Sequence, residues 1–159
     1  MRAFILVLLN IFTVATAHAE DQPRVEGQLF DIVYEAAPLT ITVGDNRLQW
    51  RIELADEQPE RSRGLMFRQS MKPMTGMLFR FDVERPVTMW MKNTFISLDM
   101  LFADASGTII HIAERTEPQS LNIISSQGPA SYVLEINGGE AERLGVTVGQ
   151  RMVHSAIGR

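Results

Sequence analysis

The feature that most constrains this chain is the stretch of residues 60–102, where charged and amide side chains interrupt segments that are otherwise apolar on both faces. Residues 87–92 and 98–103 carry apolar side chains at odd and even positions alike. Such runs predict strands covered on both sides of a sheet, and therefore central strands. Asp99 stands between Leu98 and Met100, and Glu135 between Leu134 and Ile136. A carboxylate leaving a central strand is cut off from water and needs a partner. A four-residue connection over residues 94–97 would join strands 87–93 and 98–104 into a hairpin, placing Lys92 opposite Asp99, Met91 opposite Met100 and Trp90 opposite Leu101. In that register Lys92 meets a counter-charge in Asp99.

Around this centre the pattern is that of short strands. Residues 39–43 and 48–54 alternate, and Gly44, Asp45 and Asn46 between them predict a hairpin turn. Asp56 is expected to cap a short helix with Pro59 and Glu60 in its first turn, running through Arg61 and Arg63 to Gly64. Residues 76–81 alternate Met77, Phe79 and Phe81 against Leu78 and Arg80. Ser106 and Gly107 turn into a strand over 108–113, a loop of Pro, Ser, Gln and Gly covers 114–130, and 132–136 alternates again. Gly138 and Gly139 break that strand, residues 140–144 make about one helical turn closed by Gly145, and 146–153 read as a turn feeding a last strand. Seven or eight short strands, two short helices and no βαβ alternation predict a mainly β (α+β) fold, a small antiparallel barrel or strongly curved sheet.

The N-terminus predicts export. Residues 1–19 hold one charge, Arg2, then an apolar run over 4–14 broken by Asn10 and Thr13, then Ala17-His18-Ala19 with small residues at both positions that determine cleavage. This is the pattern of a signal peptide cut after Ala19, too short in its apolar core for a membrane span. The expected organisation is a signal peptide over 1–19, an arm or linker over 20–37 and a single β-rich domain over 38–159, periplasmic or secreted. The chain has no cysteine, so neither a lipidated cysteine nor a disulfide is available and the core alone must hold the fold. Loss of Arg2 with the leader takes the net charge from −4 to about −5, without a basic run, which disfavours nucleic acid and anionic lipid as partners.

Five blocks in order carry a resemblance: Glu60-Arg61 with Gly64-Leu65-Met66 and Arg68; Gly76-Met77-Leu78-Phe79; Trp90-Met91-Lys92-Asn93-Thr94 with Leu98-Asp99-Met100-Leu101-Phe102; Tyr132-Val133-Leu134-Glu135 with Gly138; and Gly145 with Gly149. Over residues 39–154 the chain resembles domain-of-unknown-function family 192. The resemblance implies a small, often exported bacterial β-rich domain without an established reaction or cofactor. Gln150 stands where similar proteins often carry an acid.

Chemistry narrows to three constellations. Nucleophile elbows, Ser-x-x-Lys pairs, phosphate-cradling glycines and His/Asp/Glu metal spacings are missing from the sequence, and His111 and His154 sit on apolar strands as structural histidines, so the reading leans away from an enzyme and expects no cofactor. Arg61, Lys92, Asn93, Thr94, Asp99 and Glu135 form a polar set that predicts either an internal charge network or a pocket for an unknown small molecule or envelope protein. Met71, Met74 and Met77 offer soft thioethers suited to Cu(I), although Met77 falls where the alternation asks for core. Asp99 and Glu135 could also act as a carboxylate-pair enzyme if they face one another closely.

Overall fold

The computed structural model describes residues 34–158. The expected signal peptide and most of the arm lie outside the described residues. Seven strands form one curled sheet in the order β5-β4-β6-β3-β2-β1-β7. In chain order they are β1 (Ala36–Val43), β2 (Asn46–Ala55), β3 (Thr75–Met89), β4 (Leu98–Ala103), β5 (Ile109–Ala113), β6 (Ile124–Asn137) and β7 (Met152–Val153), with α1 (Gln58–Arg63) between β2 and β3 and α2 (Glu140–Leu144) before β7. The sheet curls until its edge strands meet: Thr108 bridges Arg151, Ile109 N–H donates to Gln150 O at 2.9 Å, and Met152 N–H donates to Gly107 O at 2.8 Å.

The β1–β2 hairpin forms as the alternation predicts, with Val43 opposite Asn46. Leu39, Ile41, Trp50 and Ile52 from this pair join Leu78, Leu101, Leu134, Ile136 and Met152 in the cluster enclosed by the curl. A second cluster lies on the opposite face of β3, β4 and β6, where Met77, Phe79, Met100, Phe102 and Val133 pack against Leu65 and Met91. Period-two alternation assigns each strand residue to one layer or the other. β4 is buried at all six positions because it is covered on both sides.

Four sequence expectations need correction. β2 and β3 are neighbours and parallel, so α1 and the segment after it form a crossover where no βαβ unit was expected. The cap of α1 is Glu57 rather than Asp56: Glu60 Oε2 accepts the N–H groups of both Asp56 and Glu57, while the Asp56 carboxylate pairs with Arg80 at 2.9 Å. β6 starts at Ile124, inside the expected 114–130 loop, and follows β3 across two register breaks, with Gln127 at φ 58°. Bulges of this kind accommodate the Ser, Gln, Gly and Pro that made the segment read as loop.

The largest correction concerns the central hairpin. β4 pairs with β6 and β5, not with β3, and residues 90–97 contain no strand. Lys92 is exposed, its ammonium 5.1 Å from the Trp90 ring centroid, and does not meet Asp99. Asp99 is fully buried and is met by backbone donors instead: Arg115 N–H at 2.7 Å and Gly139 N–H at 2.8 Å on Oδ1, and Ala141 N–H at 2.9 Å on Oδ2. Two of these donors belong to the start of α2, where N–H groups lack partners within the helix. The carboxylate thus joins β4, the end of β5 and the turn after β6. Close approach matters at a second point as well. A Cβ on Gly76 would lie 2.3 Å from Glu135 O, so glycine sets the spacing of β3 and β6.

Asp99→Ala strands three buried or half-buried donors and is expected to cost about 3 kcal/mol in urea unfolding, whereas Lys92→Ala stays within about 0.5 kcal/mol. A larger loss for Lys92→Ala than for Asp99→Ala would contradict these assignments.

Candidate functional site

Glu135 occupies the outward position of β6, between the inward Leu134 and Ile136 and opposite Met77 and Met100 on the neighbouring strands. The second apolar layer therefore surrounds its side chain, and the residue is 4% exposed. No hydrogen bond or ion pair reaches it among the described residues. Burial pushes its pKa up to about 8, so the group is protonated at neutral pH.

Above this carboxyl lies a pocket of about 370 Å³, walled by α1 and residues 64–66 on one side and by the outer part of β3 and residues 88–94 on the other. Gly64 allows the helix end to approach the sheet, since a Cβ there would lie 3.0 Å from Phe79 Cζ. Arg61 is held in place: Nη1 donates to Arg80 O at 3.1 Å and to Asp56 O, and Nη2 reaches Gln58 Oε1 at 3.4 Å. Its guanidinium carbon stands 5.9 Å from the Phe81 ring centroid, and that of Arg85 stands 5.7 Å from the same centroid. Arg63 and Asp82 complete the charged lining, and half-exposed Trp90 contributes its indole at the rim.

The wall is braced by residues 90–97. Asn93, at φ 56°, accepts the Phe67 N–H through its carbonyl at 2.8 Å, and its side-chain amide approaches Met66 Sδ at 3.9 Å. Phe67 itself is at φ 67°, a conformation rare for an aromatic residue. Its ring meets Phe95 edge-on at 6.1 Å and carries the Arg63 guanidinium at 4.9 Å.

Of the polar set read from the sequence, Arg61, Thr94 and Glu135 line this pocket. Asn93 shapes its wall, Lys92 points outside it, and Asp99 belongs to the other face. Asp99 pairs with Ile136 and Glu135 with Met100, so the two carboxylates project from opposite sides of the sheet and cannot flank one bond. This removes the carboxylate-pair chemistry. An internal network neutralised by Arg61 or Lys92 is also not what forms. The three methionines are divided between the layers, Met71 and Met77 in the outer cluster and Met74 against the inner one, where its N–H donates to Glu140 Oε1 at 3.0 Å. His111 stacks on Phe102 at 5.7 Å and His154 Nδ1 accepts Ala156 N–H at 3.1 Å. The sequence reading missed Arg63, Phe81, Arg85 and Trp90 as lining residues. Their convergence depends on the parallel crossover through α1 and on β3 running unbroken from Thr75 to Met89, and the pattern of residues 82–86 does not join the two strands expected on either side of them.

The family model for DUF192, described as an uncharacterized ACR, matches residues 39–154. No match was found among curated proteins. Among solved structures, a protein from Sinorhizobium meliloti 1021, provisionally called a transcription regulator, is 43% identical with a TM-score of 0.75, the match covering 77% of this chain and 96% of that one. A protein of unknown function from Novosphingobium aromaticivorans DSM 12444 is 36% identical with a TM-score of 0.73, covering 75% of this chain and 85% of that one. The five sequence blocks, the curled sheet they build and these matches lead to one conclusion: the chain belongs to the DUF192 family.

Proposed function

We propose that this protein is an exported, non-catalytic module that binds a small molecule in the pocket above Glu135. The observation that carries this reading is a nearly buried carboxyl group that lines the pocket and that no hydrogen bond or ion pair reaches among the described residues. An unsatisfied buried polar group costs about 1–3 kcal/mol, and structures retain such groups where something else supplies the missing contact. Asp99, one strand away, supports the contrast, because the same fold provides three donors where a carboxylate is structural. A volume of about 370 Å³ suits a small organic ligand. The provisional name of the S. meliloti relative would imply nucleic acid, and a net charge of −4 lends that no support. No helix among the described residues is long and apolar enough to cross a membrane. Export rests on the leader-like pattern of residues 1–19, and N-terminal sequencing of the mature protein is expected to begin at Glu20. Recovery of a chain that still begins at Met1 would refute it.

The unpartnered acid gives the stability a pH dependence of definite sign. The folded pKa of about 8 lies above the ordinary 4.5, so between these values the folded chain keeps a proton that the unfolded chain releases. Stability is therefore greatest below about pH 4.5 as far as this group is concerned, falls as the pH rises, and levels off above about pH 8. The loss over that window is on the order of 5 kcal/mol. Glu135→Gln removes it, and comparison of urea unfolding of the two proteins across the window measures it.

The binding reading itself is tested by NMR with a mixture of neutral, cationic and anionic aromatic fragments. Shifts are expected at the Trp90 indole and at Leu65 and Thr94, and Glu135→Leu should abolish them by removing the hydrogen-bonding group from the floor. Shifts that survive this substitution, or that map elsewhere, would count against the pocket.

A further inference from the structure

We propose that the pocket selects small organic anions, carboxylic acids with an aromatic or branched apolar body, held with the carboxylate between Arg61 and Arg85 and the apolar body toward Glu135. This rests on the reading that the pocket binds a small molecule, and it specifies the class. The charged groups that face the space are Arg61 and Arg63 from α1, Asp82 and Arg85 from β3, and Glu135 from β6. Residues 90–94 contribute Trp90 and Thr94 to the lining, without a charge.

Three guanidinium groups against one exposed carboxylate leave the mouth positive, and Glu135 adds no negative charge while it holds its proton. A cation entering this space would meet repulsion at the rim and a neutral acid at the floor. An anion meets the reverse. Arg61 and Arg85 both line the pocket, and their guanidinium carbons stand 5.9 and 5.7 Å from the Phe81 ring centroid, so both cations border the part of the space that Phe81 walls. Arg61 is immobilised by the carbonyls of Asp56 and Arg80, whereas Arg85 donates only to Pro86 O, at 3.3 Å, among the described residues, which leaves the rest of its fork for a ligand. Planar guanidinium groups match carboxylate geometry, and a pre-positioned one sacrifices little side-chain entropy on binding.

Below the arginines the walls change character. Leu65, Phe79 and Met89 are apolar, and the protonated Glu135 is the hydrogen-bond donor at the bottom, able to meet a carbonyl or hydroxyl on the ligand body. Order along the pocket is thus cationic rim, apolar wall, neutral donor. Deprotonation of Glu135 would place a negative charge at the floor and convert its donor into an acceptor, so anion binding weakens as the pH passes about 8.

The experiment uses three probes of one shape, phenylacetate, phenylacetamide and 2-phenylethylamine, titrated into the mature full-length protein and followed by saturation-transfer NMR and by the Trp90 resonance. At about pH 6.5 phenylacetate is expected to bind about tenfold more tightly than the amide, the worth of one good ion pair of about 1.4 kcal/mol, with the amine weakest. Arg85→Gln, an exposed position whose replacement leaves the fold intact by the Trp90 and Trp50 signals, should remove that preference. Glu135→Gln should abolish the loss of phenylacetate affinity that the parent shows between about pH 7 and about pH 9. Equal binding of acid and amide, or preference for the amine, would overturn the anion assignment and leave the pocket reading standing. Failure of all three probes to perturb Trp90 would overturn both.

Discussion

A carboxylate in the middle of a doubly covered sheet must be met by donors, and the way Asp99 is met governs much of this structure. Its oxygens take three backbone N–H groups from the end of β5, the Gly139 turn and the first turn of α2. Charge-assisted bonds of this kind are among the stronger ones available, and they are made to donors that α2 cannot satisfy internally. Gly139, at φ 80°, sets the chain direction that brings its own N–H and that of Ala141 to the same side chain. Glu140, buried beside them, holds Met74 N–H at 3.0 Å and so ties the α1–β3 crossover to the same corner.

Glu135 lies on the adjacent strand and faces the other way. Because the pairing sets Asp99 against Ile136 and Glu135 against Met100, one register places one acid in the enclosed layer and the other in the outer layer. The inner acid is saturated and the outer one is not. The outer layer is also incomplete. Leu65 and Met91 close part of it, and the remaining space is the pocket, bounded by Arg61 on one side and Trp90 on the other. Unequal satisfaction of two buried acids thereby separates a structural role from a candidate binding role.

Local features of the fold were legible in the sequence. The β1–β2 hairpin follows from alternation around Gly44 and Asp45, the short helix from Pro59 and Glu60, and the two-sided burial of β4 from its unbroken apolar run. What was not legible is which strand lies beside which. Apolar residues at 87–91 suggested a strand paired with β4, yet β3 ends at Met89 and Met91 turns into the outer layer. The chain skips from β3 to β4 across residues 90–97 because β6 takes the place between them, and such long-range choices leave no mark on a local period. The site was half legible for the same reason. Arg61, Thr94 and Glu135 were singled out as polar groups in apolar surroundings, while Arg63, Arg85 and Phe81 look like ordinary surface and core residues until the crossover gathers them.

The proposed binding role turns on the ionisation state of one side chain, and carbon-13 NMR titration of the Glu135 carboxyl in the ligand-free protein measures it directly. A buried acid without a partner predicts a midpoint near 8. A midpoint in the ordinary glutamate range, near 4.5, would mean that water or a cation reaches the group in the empty protein, and would contradict the picture of an unsatisfied acid awaiting a ligand.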